Sequence, residues 1–173
     1  MLAELLHETT ARAAAWASEI APGLWLGNGS AAADLVSLQQ HGVEYVLNVA
    51  DDVPNYHADA LTYCTLGVAD FGQDAGISRV FSRAFDFLDH VLLHAKGRVL
   101  VHCAAGANRS ATVVIAYLMH SQQLSLADAW AIVRKRRPGM SPLEDNRKQL
   151  WNFELQLRGC HSLPSLDALH SHR

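Results

Sequence analysis

Apolar positions along the chain fall into two periods. Short apolar runs at 24–26, 43–49, 61–68 and 99–101 have Gly, Pro or Asp close by, the punctuation that bounds strands. The run at 99–101, Val-Leu-Val, lacks polar alternation and predicts a strand buried on both faces, as in a parallel sheet. Between the strands the period lengthens. Over 78–96, Phe81, Phe85, Leu88 and Leu92 share one helical face, with Ser78 as the expected N-cap. Residues 110–118 are almost wholly apolar and predict a helix buried all round. Further helices are expected over 31–41, stopped by Gly42, from Ser125 to Arg137, and over 143–158 with Leu150, Phe153 and Leu157 inward. Ser125 and Asp128 have capping-box spacing, and Pro138-Gly139 ends the helix they open.

Strands alternating with helices predict an α/β fold, a mixed or parallel sheet of four to five strands with helices on both faces. The flanks read differently. Residues 1–18, rich in Ala, Leu and Glu, are expected to form a helical extension that Trp16 packs onto the domain. Residues 159–173 show no period and are expected to be a flexible tail, leaving 19–158 as one domain.

Composition narrows the class. The 173 residues are enough for one domain with a real core, and 18% charged residues against 50% hydrophobic ones exclude a disordered chain. A net charge of −3 argues against general nucleic-acid binding. Three cysteines, an odd number, suggest no disulfide framework and point to a reducing compartment. The opening MLAELLHETT lacks the basic region of a signal peptide, no apolar run reaches membrane-spanning length, and no lipidation motif stands at either end. The expectation is a cytoplasmic protein, with the nucleus left open, and no membrane partner.

The chemistry concentrates between the 99–101 strand and the 110–118 helix. There the chain reads His102-Cys103-Ala104-Ala105-Gly106-Ala107-Asn108-Arg109-Ser110. A strand, a small-residue loop and a helix N-terminus make an anion site, since loop amides and the helix dipole all present positive character. Gly106 permits an unusual φ, and Ala104, Ala105 and Ala107 keep the floor open. Arg109 offers a planar fork of donors matched to a phosphate. Cys103 sits where that field is strongest, which predicts a thiolate able to attack phosphorus. His102 is expected to hold the loop by hydrogen bonds, and Ser110 to donate its hydroxyl proton to the sulfur when that sulfur must leave. A lone cysteine is most often structural, but here five chemically matched residues occur together.

These residues resemble the signature of the cysteine-dependent protein phosphatases: His-Cys, five residues, Arg, then Ser or Thr. The nearer resemblance is to the dual-specificity branch, similar to the catalytic domains of MAP kinase phosphatases, and it covers roughly 19–157. It implies the protein-tyrosine-phosphatase-like fold, with Cys103 at the C-terminal end of the central strand and Leu24–Leu26 in the first strand. It also implies hydrolysis of phosphotyrosine and phosphoserine or phosphothreonine through a phosphocysteine, with no cofactor and no metal. The phosphate would rest on 104–109. The family's general acid is an Asp just after the strand that precedes this one. Asp70 fits that position, and Asp74 in the same loop is its rival.

The sequence departs from the family at two places. Leu143 follows Pro142 where the family carries an Asn that braces the phosphate loop, and Asn108 stands where Ser is commoner. Low-molecular-weight phosphatases and arsenate reductases carry the motif near the N-terminus, whereas here it follows three expected strands and the acid loop, which argues against both. Binding-only pseudophosphatases generally lack the Cys or the Arg, and phosphoinositide or RNA phosphatases carry extra basic residues inside the loop. A phosphorylated protein, kinases included, is therefore the expected partner, with phosphate, vanadate or sulfate occupying the same cradle. Asp51 and Asp52 read as solvated loop acids, and Arg134 to Arg137 as either a basic helix end or a patch for acidic substrates.

Overall fold

The computed structural model describes residues 16–71 and 76–171. Five strands come in the order β1 (Ser18–Ala21), β2 (Leu24–Gly27), β3 (Tyr45–Ala50), β4 (Thr62–Val68) and β5 (Val99–His102). The helices are α1 (Gly29–Ala33), α2 (Leu35–Gln40), α3 (Phe81–Asp89), α4 (Arg109–Ser121), α5 (Leu126–Arg136), α6 (Glu144–Arg158) and α7 (Ala168–Ser171).

The strands form one mixed sheet in the order β1-β2-β5-β3-β4, antiparallel only between β1 and β2. β5 is central, with Val101 opposite Leu26 on one side and Leu47 on the other. Its residues alternate between faces as a strand must. Val99 and Val101 enter the larger core beneath α3, α4, α5 and α6, while Leu100 packs with Ala31, Ala32 and Leu38 of α1 and α2. Every residue of α4 from Arg109 to Met119 is buried, which is why that segment carries no polar face.

The local differences from expectation have identifiable causes. Leu24–Leu26 lies in the second strand, because Ser18–Ala21 forms β1 against it. The expected helical extension therefore gives way to a strand by Ser18, and residues 1–15 lie outside the described ones. Trp16 does pack on the domain: its ring stacks on His41 at 4.8 Å and its Nε1 donates to the Ala31 carbonyl at 2.9 Å. The 31–41 helix is divided at Asp34, whose carboxylate caps α2 by accepting the Ser37 amide at 3.0 Å. Ser78 caps nothing. It lies in a 3₁₀ turn, Ile77–Val80, and donates instead to Gln149 Oε1. Beyond α3 the helix widens into a π turn, His90–His94, with Ala95 N–H on the His90 carbonyl at 2.8 Å.

The segment after Gly159 is packed rather than loose. Leu163 and Leu169 are buried in the main core. Glu154 of α6 secures this segment: fully buried, it accepts the Leu126 amide at 2.7 Å and the Ser162 amide at 3.1 Å. One carboxylate thus caps the N-terminus of α5 and pins the C-terminal segment. Glu154→Ala is expected to cost about 3 kcal/mol, since the buried Leu126 amide and the part-buried Ser162 amide both lose their acceptor. The urea midpoint reads this directly, and a loss below about 1 kcal/mol would remove the carboxylate from the account of stability. Among the described residues, no helix is long and apolar enough to cross a membrane.

Candidate active site

Residues 103–108 join the C-terminal end of β5 to the first turn of α4, and the direction of their amides follows from where their carbonyls go. The Cys103 carbonyl lies 3.2 Å from His102 Nδ1. The Ala104 carbonyl accepts the Gly29 amide at 2.9 Å, and the Ala107 carbonyl accepts the Ser141 amide at 2.7 Å. The Gly106 carbonyl accepts Arg137 Nε at 2.7 Å. In a planar trans peptide the next N–H points away from each carbonyl. The amides of Ala104, Ala105, Ala107 and Asn108 are therefore turned toward the bowl, as an anion cradle requires. Gly106 has φ +64°, and a Cβ there would lie 2.4 Å from the Gly27 carbonyl oxygen, so only glycine fits.

Cys103 is buried at the base of the bowl, its Sγ 3.1 Å from Ser110 Oγ. His102 is also buried, and burial pushes its imidazole below the usual histidine range. A neutral ring with its proton on Nδ1 donates to the Cys103 carbonyl, which suits a loop support and not a proton carrier.

Arg109 is 1% exposed, and one of its nitrogens is tied back. Nη1 donates to Asp52 Oδ1 at 2.8 Å, to the Val68 carbonyl at 2.9 Å and to Asp51 Oδ1 at 3.4 Å. Burial works against its charge, but the hydrogen bond to Asp52 and the charges of Asp70, Cys103 and Asp52 outweigh it and hold the guanidinium above its ordinary range. Asp52 is correspondingly held below the usual carboxylate range by its hydrogen bond to Arg109. The Nε edge remains for a ligand: Nε is buried without a hydrogen bond among the described residues, with Asp70 Oδ1 only 3.3 Å away.

Asn108 ties the surroundings together. Its Nδ2 donates to Asp70 Oδ1 at 2.8 Å, while its Oδ1 accepts the Leu143 amide at 2.7 Å and Asn146 Nδ2 at 2.8 Å. The brace expected to be missing at Leu143 is thus supplied by the Leu143 main chain and by Asn146. Cys103, 104–109, Ser110, His102 and Asp70 are all brought together, whereas Asp74 lies outside the described residues. Asp51 and Asp52 are not merely solvated acids, since both meet Arg109. Arg137 lies under the loop, and this role was hidden within a run of four basic residues.

Residues 24–156 match the family described as dual specificity phosphatase, catalytic domain. The chain belongs to that family. The dual specificity phosphatase domain is 43% identical over 144 residues to dual specificity protein phosphatase Mpk3 of Drosophila melanogaster, covering 81% of this chain and 34% of that one. It is 35% identical over 153 residues to dual specificity protein phosphatase 19 of Mus musculus, covering 87% and 69%. The crystal structure of human DUSP28 superposes with a TM-score of 0.77 at 29% identity, covering 83% and 96%. The chain spans less than half the length of Mpk3 and of human dual specificity protein phosphatase 2.

Proposed function

We propose that this chain hydrolyses phosphate monoesters of protein tyrosine, serine and threonine through a phosphocysteine, acting on phosphorylated proteins of the cytoplasm, kinases among them. The observation that supports it most is the outward bonding of the loop carbonyls around Cys103, which leaves inward amides and the Arg109 Nε edge for a phosphoryl group. In this reading the phosphoryl oxygens bind at Arg109 Nε, which Asp70 Oδ1 faces at 3.3 Å without a hydrogen bond. Asp70 stays at the rim on Asn108. The Cys103 thiolate attacks phosphorus in line, the bond from phosphorus to the side-chain oxygen breaks, and Asp70 passes its proton to that oxygen. Asp70 then takes a proton from the water that attacks the phosphocysteine. The sulfur leaves with the Ser110 hydroxyl donating to it across the 3.1 Å contact. The cradle stabilises the equatorial oxygens in both transition states, so no metal enters either step.

Rapid-quench trapping with matched phosphotyrosine and phosphothreonine peptides tests the scheme. Both peptides should be turned over, and acid quench should trap phosphate on Cys103. In Ser110→Ala the trapped fraction should rise several-fold at steady state, because breakdown slows more than formation. No trapped phosphate with either peptide would remove the covalent route. An unchanged fraction in Ser110→Ala would remove the serine from it.

A further inference from the structure

The anion site carries more negative charge than a phosphate site needs. Before any substrate arrives, the single charge of Arg109 faces Asp52 at 2.8 Å, Asp70 at 3.3 Å and Asp51 at 3.4 Å. Asp51 and Asp52 are held in place by the fold. The loop that carries them is fastened by the fully buried Asn48, whose Nδ2 donates to the Val53 carbonyl at 2.7 Å and to Asn55 Oδ1 at 2.9 Å. Asn55 in turn donates to Thr65 Oγ1 on β4 at 2.9 Å, and the Asp51 amide reaches the Val68 carbonyl at 3.2 Å. Yet the two carboxylates are only half engaged, since their side chains remain 48% and 58% exposed at the mouth.

The two sides of the mouth differ. Asp51 and Asp52 follow β3, one neighbour of β5, whereas Arg137 reaches the Gly106 carbonyl and Ser18 Oγ beside β2 and β1, on the other flank. When a phosphoryl dianion docks against Nε, the charge of Arg109 is shared between it and the carboxylates. The half-exposed pair is then left under-compensated on one flank only. A cation on the substrate restores the balance, and a carboxylate there is repelled.

We infer that Asp51 and Asp52 are specificity-determining residues that select phosphoprotein substrates with a lysine or arginine close to the phosphorylated residue on one flank. This rests on the phosphatase reading above and names the substrate class of the same site.

The test uses phosphotyrosine peptides that differ only by Lys or Glu, placed within two residues on either flank. The readout is the ratio of kcat/KM for the Lys peptide over the Glu peptide, in which any change in the placement of Arg109 cancels. At low salt the ratio should be about tenfold on one flank and near one on the other, falling toward one in about 0.5 M salt. It should drop in Asp51→Asn, vanish in Asp51→Asn/Asp52→Asn, and reverse in Asp51→Lys, whose weaker 3.4 Å contact to Arg109 makes it the safer variant to fold. A ratio near one in the wild type, or an equal ratio in the wild type and Asp51→Lys, overturns the inference. The same ratio is read as peptide binding to Cys103→Ser. A failed phosphatase reading shows as no turnover of any peptide or aryl phosphate, and the binding ratio still decides the selectivity.

Discussion

Cys103→Ser is expected to lower turnover by at least about 10³-fold while phosphate and vanadate still bind. The two halves of this result have separate causes. A serine hydroxyl stays protonated where the reaction needs an anion, so attack on phosphorus fails. The cradle, in contrast, is built from the amides of Ala104, Ala105, Ala107 and Asn108 and from Arg109, and none of these depends on the sulfur. Turnover is read with an aryl phosphate and anion affinity by isothermal titration. Residual turnover above about 0.1% would mean that another group attacks. Loss of anion binding would mean that the sulfur organises the loop, in contradiction to the carbonyl anchors at Gly29, Arg137 and Ser141.

Asp70→Asn has the next largest expected effect, and its signature is dependence on the leaving group. An alkoxide departing from threonine needs a proton, whereas a weakly basic phenolate leaves without one. The substitution should cost on the order of 100-fold on a phosphothreonine peptide. The loss should shrink steadily along a series of aryl phosphates with increasingly acidic phenols. Asparagine keeps an oxygen to accept Asn108 Nδ2, so the rim should stay in place while the proton is lost. Asp74→Asn should show a small, flat loss along the same series. If the two variants exchange behaviour, the acid is Asp74. If both are flat, the proton comes from neither.

The parts of this protein legible in its sequence are those whose causes are local. The all-apolar stretch after Ser110 reported a buried helix because a helix surrounded on every side has no room for polar residues. The 99–101 run reported the central strand for the same reason. The cradle was legible because its ligands are contiguous. The groups that hold it were not, because each arrives from far along the chain. Asn146 and Arg137 bond to the loop from α6 and the end of α5, and Asp52 reaches Arg109 from beyond β3. One clue was present: Asp51, Asp70 and Cys103 all follow parallel strands, and therefore gather at the same sheet edge. β1 was missed because four residues with two polar ones give too short a period to read, and its partner β2 supplies the reason it forms.

The Asn108 junction also orders events on the ribosome. The chain is made from its N-terminus, so Cys103, Asp70 and Asn108 are all in the chain before Leu143 and Asn146 have been added. At about 5–20 residues per second, the phosphate loop waits some seconds for its last two hydrogen bonds. In that interval Asn108 Oδ1 has neither the Leu143 amide nor Asn146 Nδ2 to hold it. A ribosome stalled before codon 146 would hold a chain that contains the whole signature motif and lacks one of the two donors that fix Asn108 Oδ1.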